Sequence, residues 1–162
     1  MAKGGWNKFP HADKAYVYDG AALKKHWDRL HRGDREQFPK EEQIQEAWRL
    51  YHQGEFQQAC EVGLSLGLPG YAVANKAAKI YATYRENNEK KKLALFEEAA
   101  ARGEEQMAAM PKYANAFYFH ALALGRYSQG ISVAKALAQG LGTKVRDSLS
   151  KALKLNPEHA DA

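Results

Sequence analysis

The chain has one cysteine, Cys60, so it cannot close an internal disulfide and a reducing compartment suits it. It has no apolar run of about 18 residues, which excludes a membrane-crossing helix. The stretch from Ala114 is the most apolar, but His120 interrupts it and Arg126 ends it. The opening MAKGGWNKFPHADK lacks the apolar core of a signal peptide, so the expected location is cytoplasmic and no membrane is expected among its partners. No segment alternates with period two long enough to read as a strand, which removes the strand-bounded Gly-rich loops that cradle phosphates. The six histidines show no zincin spacing, and Cys60 has no neighbouring cysteine to make a zinc pair. No metal, cofactor or catalytic residue is expected, and the chain reads as non-enzymatic. Cys60 falls on an apolar stripe and reads as a buried, inert thiol.

What remains is a soluble, helix-forming composition of ordinary size. The chain has 162 residues, 45% hydrophobic and 27% charged, with a net charge of +5. That is one domain by length, with enough residues to bury a core. The charge admits an acidic partner without demanding nucleic acid. Residues 1–38 read as an irregular arm followed by a capping helix, N-capped by Asp19, with Leu23, Trp27 and Leu30 on one stripe. The aromatics of the arm, from Trp6 to Tyr18, predict that part of it docks on the helical body. Residues 39–162 then alternate helices and breaks. Helices are predicted over 40–53 and 55–66, separated by Gly54, and over 69–87 and 89–110, separated by Asn87-Asn88. Gly103 lies inside the long fourth helix at a cost of about 1 kcal/mol relative to Ala, which leaves a bend or break open there. A helix from Pro111 to about Tyr127, a Gly-interrupted piece and a last helix N-capped by Thr143 follow. The fold class is all-α, with about seven to eight helices in antiparallel hairpins.

The spacing of Ala47, Gly54-Glu55-Phe56 and Ala59 is similar to that of the tetratricopeptide repeat family, a helix–turn–helix unit of about 34 residues. Phe117, Ala121 and Leu124, then Ala152 and Pro157, match it again in the last unit. The resemblance spans residues 39–162 and implies an α-solenoid. The sequence departs from the pattern at Glu46, Gly63 and His120, and an insert over 125–142 splits the last unit. The insert resembles a longer-inserted branch of bacterial tetratricopeptide-like proteins, and reads as packing across the last hairpin, as a lid or as an oligomer contact. The ending LNPEHADA resembles the hand-off into a further repeat. It predicts a truncated array or a partner chain over the end, with self-association through the last helix.

The resemblance implies a scaffold that holds a peptide or partner protein in a groove lined by the first helix of each hairpin. The matching positions are Trp48, Tyr51 and His52, with Ile44, in the first unit, and Asn75 and Lys79, with Thr83, in the second. Tyr118, Leu122 and Arg126, with Asn115, come from the last. Aromatic anchors with a few cations suit a peptide carrying apolar side chains and a carboxylate. Two alternatives stay open. One is a helical carrier of a small molecule or lipid, built on the aromatic interior. The other is a basic, nucleic-acid-associated solenoid, with the Lys90-Lys91-Lys92 run as its anchor.

Overall fold

The apolar stripes of the sequence close into antiparallel helical hairpins in a computed structural model that describes residues 5–162. The first four residues of the expected arm lie outside the described residues. Eight α-helices and no strands occur among the described residues. They are α1 (Ala22–Leu30), α2 (Glu42–Gln53), α3 (Phe56–Ser65), α4 (Tyr71–Tyr84), α5 (Glu89–Ala109), α6 (Ala114–Gln129), α7 (Val133–Ala138) and α8 (Leu141–Leu155). From α2 to α6 each helix packs on the next. The insert helix α7 lies between α6 and α8, which pack directly on each other. Helix α4 also touches both α2 and α6, so the first helices of the three hairpins adjoin.

The turns explain the hairpins. Gly54 ends α2 in the left-handed region at φ 90°, and its N–H bonds back to Leu50 and Tyr51. Phe9 lies so close that a Cβ there would sit 2.4 Å from its ring. Asn88 both follows the break and caps the next helix, its side chain accepting from the Lys91 N–H at 3.0 Å. Three boundaries differ from expectation. Helix α1 begins at Ala22 without a side-chain cap, because Asp19 contributes its carbonyl to a turn instead. Helix α8 begins at Leu141, two residues before Thr143, because Gly140 takes a left-handed conformation and starts it early. Helix α5 runs unbroken through Gly103, which is there for room: a Cβ would stand 2.9 Å from the Cα of His120 on α6.

Two apolar clusters form the interior. One joins Leu23 and Trp27 of α1 to Trp48 and Ala47 of α2, the alanines of α4, and Tyr118 and Phe119 of α6. The other gathers Tyr81, Leu95, Phe96, Leu124 and Leu141. The arm is fixed to this body at several points. Trp6 stacks on Tyr81 at 4.2 Å, and its N–H donates to Gln57 Oε1 at 2.8 Å. Arg49, buried on α2, donates to the carbonyl of Tyr18 at 3.2 Å and pairs with Glu42 at 2.8 Å. Cys60 is buried, and burial raises its thiol to about 11, so it is a poor nucleophile.

Candidate partner-binding face

The face shared by α2, α4 and α6 is where sequence reasoning placed the site. Much of it is covered by the chain's own residues 31–38, a strap between α1 and α2. At its start the His31 ring stacks on Trp27 at 3.9 Å and meets the Trp48 ring edge-on at 4.7 Å. His31 Nδ1 lies 3.0 Å from Asp34 Oδ1, and the other Asp34 oxygen takes the ammonium of Lys76 from α4. At its end Glu36 accepts from Tyr113 Oη and Asn115 Nδ2 on the α6 side, both at 2.5 Å. Trp27 Nε1 donates to the Glu36 carbonyl at 2.7 Å. One polar segment therefore ties three hairpins together.

The protonation pattern follows from the donors. Burial alone would raise the Asp34 carboxyl, but the His31 hydrogen bond and the Lys76 charge hold it well below the usual carboxylate range. An ionised Asp34 only accepts, so His31 Nδ1 carries a proton and its neutral ring offers Nε2 as an acceptor. His52 Nε2, 3.3 Å away, supplies the N–H. A second proton on His31 would set two N–H groups face to face. Burial lowers both rings, and the neighbouring His31 ring and the Lys76 charge help bring His52 down to about 3. Burial pushes Glu36 up to about 7 despite its two donors.

Residues 158–162 meet the same strap. The Asp161 N–H donates to the Gly33 carbonyl at 3.3 Å, and Arg35 pairs with Glu158 at 3.4 Å. His159 is buried, packs on the Tyr118 ring at 4.6 Å and approaches Asn115 Oδ1 at 2.6 Å.

The eight candidate residues are sorted by this arrangement. Trp48 is 1% exposed and Tyr118 7% exposed, enclosed by the strap and by His159 respectively. Tyr51 and His52 are half-buried beside Trp48. Asn75 is not on this face: it is buried against α5, where its Oδ1 accepts from Arg102 Nε at 2.8 Å. Lys76, one residue on, is the side chain that α4 turns to the strap. Lys79, one turn later, is half-buried and has no ion pair among the described residues. Burial and then the charge of Lys76 lower its ammonium, the Asp161 carboxylate opposes this, and Arg126 adds to the lowering from α6. Leu122 and Arg126 line an open cavity of about 310 Å³ together with Tyr118, Val145, Leu149 and Asp161. Lys79, Leu122 and Arg126 are thus the part of the expected set left available beyond the strap.

Sequence reasoning missed His31, Asp34, Glu36, Lys76 and His159. The i, i+3 spacing of His31 and Asp34, one turn beyond Trp27, was a local signal. The approach of Lys76 and His159 had none, because it depends on how the hairpins stack. Among the described residues no group of histidine, cysteine and carboxylate side chains has a metal-holding arrangement, and no helix is long and apolar enough to cross a membrane. No protein-family model, curated protein or solved structure matches the chain.

Proposed function

We propose that this is a non-enzymatic, tetratricopeptide-like interaction module that holds an extended segment of a partner protein. The segment lies on the α4–α6 part of the face, beyond the chain's own strap. The observation that carries this reading is the pairing of two cations outside any ion pair with an open, partly apolar cleft. Lys79 and Arg126 have no carboxylate within ion-pair distance among the described residues, Asp161 at the cavity edge offsets only part of their charge, and Leu122, Val145 and Leu149 line the adjoining cavity. A peptide with an acidic group and one or two aliphatic side chains would neutralise the first and fill the second. The covered Trp48 and His52 are support for the face rather than contacts.

Panning a random peptide library on the folded protein tests the reading, with affinities of the selected peptides then measured by calorimetry. Acidic–aliphatic sequences are expected. Arg126→Glu and Leu122→Asp, at positions that are exposed and half-exposed, should each weaken them about tenfold or more with the circular dichroism unchanged. Selected peptides that bind both variants as tightly as the parent, or a library that yields none, would overturn it.

A further inference from the structure

The insert helix α7 is the least buried α-helix among the described residues and stands apart from the proposed peptide cleft. None of its six residues is buried, and Val133 and Leu137 are each 75% exposed. They are four residues apart and share one side of the helix. One edge holds α7 to the body: Ala136, with Ile131 just before the helix, packs against the apolar cluster that contains Tyr127, the Lys135 ammonium lies 5.9 Å from the centre of the Tyr127 ring, and α8 runs alongside. The insert itself carries charge of one sign, although Glu89 and Glu97 on α5 and Asp147 on α8 lie just outside it. From Arg126 through Arg146 the chain carries four cations and no acidic residue. Gly130 abuts Leu93 so closely that a Cβ would meet it at 2.4 Å, which brings the start of α5 alongside. Lys90, exposed and three residues before Leu93, lies on the same side of α5 as that contact. The fold therefore brings the start of α5, with Lys90, beside the insert, while Lys92 is paired with Glu89 at 2.8 Å.

Two aliphatic side chains on a six-residue helix are far short of the roughly 800 Å² per partner that a stable protein interface buries. They suit a bilayer surface, where small apolar groups dip below the headgroups and surrounding lysines meet anionic lipid. We propose that the α7 tip, with Val133 and Leu137 as the inserting pair and Lys90, Lys135 and Lys144 around them, is a peripheral docking site for an anionic lipid bilayer. Such contact needs no membrane-crossing helix and does not depend on the peptide cleft.

Vesicle co-sedimentation of the whole chain tests this, using phosphatidylcholine alone and phosphatidylcholine with about 30% phosphatidylserine. Binding is expected to the mixed vesicles only, and to weaken as salt is raised. Val133→Asp with Leu137→Asp, and separately Lys90→Glu with Lys144→Glu, should each reduce it about tenfold or more. All four side chains are exposed, so a circular dichroism spectrum like the parent's is expected. No sedimentation with mixed vesicles overturns the proposal. Binding that the aspartate pair leaves unchanged also overturns it, in favour of simple polyanion attraction. A concentration-dependent dimer that the aspartate pair abolishes, without vesicle binding, assigns the tip to a second copy of the chain instead.

Discussion

Asp34 is fully buried, yet it is charged. Its two oxygens are divided between His31 Nδ1 and the Lys76 ammonium, and Oδ1 also accepts the Glu36 N–H at 3.1 Å. Removing one member of such a group leaves the others buried without a partner, which is worse than never having had them. Asp34→Ala should therefore lower the unfolding free energy by about 3–5 kcal/mol in a urea titration. The double replacement Asp34→Leu with Lys76→Met should recover a large part of it. A single variant within about 1 kcal/mol of the parent would show that Asp34 does not hold the strap. His120 is a second case. It occupies a position where the repeat pattern favours an apolar side chain, yet it is 3% exposed. Its Nδ1 is 2.8 Å from Ser148 Oγ, and its Nε2 is 3.4 Å from a Glu104 oxygen. The departure is accommodated by the Ser148 partner on α8, while Nε2 is buried without a hydrogen bond of its own, an arrangement that no local pattern in the sequence announces.

At the scale of elements, helix existence was legible and helix purpose was less so. The 3.6-residue stripes, Gly54 and Asn88 marked α2 to α5, because periodicity and capping act within a few residues. Gly103 was read through its local propensity, as a place where the long helix had room to bend or break. The helix is continuous there because the hydrogen-bonded ladder of a long helix carries one glycine, and because that glycine lets α6 approach. Gly103→Ala thus separates the two accounts. Propensity alone predicts a gain of about 1 kcal/mol. The 2.8 Å approach of a new Cβ to the His120 Cβ predicts a loss instead, of about 1–3 kcal/mol from overpacking. A thermal melt that rises would refute the close-contact explanation. Asn75 was placed on the partner face by counting from a repeat register. One residue of shift on a helix is about 100° of rotation, enough to exchange Asn75 for Lys76.

Across the whole molecule, titratable groups from several elements set the response to pH. Burial is the first cause that lowers His31, His52, His120 and His159 below the ordinary 6.5. The unfolded chain takes up protons near 6.5 while the folded one resists, so each of these four groups makes stability fall as pH drops below 6.5. Glu36 works in the opposite sense. It is raised from 4.5 to about 7, so the folded state holds its proton longer, and stability gains as pH falls through that window. Four groups against one predict a lower urea midpoint at about pH 5 than at neutrality. The two groups with fixed values, His52 at about 3 and Glu36 at about 7, oppose each other with about 2 kcal/mol each over that interval, so the net fall is set by His31, His120 and His159. His52→Gln should flatten the profile. A parent midpoint that is constant or rises on acidification would rule out neutral buried histidines as the cause.

The sequence by itself determined the all-helical class, the order of the hairpins and their turns. These rest on periodicity, capping and glycine chemistry, which are local and are written in neighbouring residues. It also singled out Leu122, Arg126 and Lys79 and the unusual insert. Only the tertiary structure decided that residues 31–38 lie across the face where Trp48 and Tyr118 were expected to receive a partner. Only it brought His52 to His31, Lys76 to Asp34 and Leu93 of α5 to Gly130. Those contacts join residues far apart in the chain. The free energy that selects them comes from burial and from pairing charges away from water, and neither is fixed until the helices have stacked.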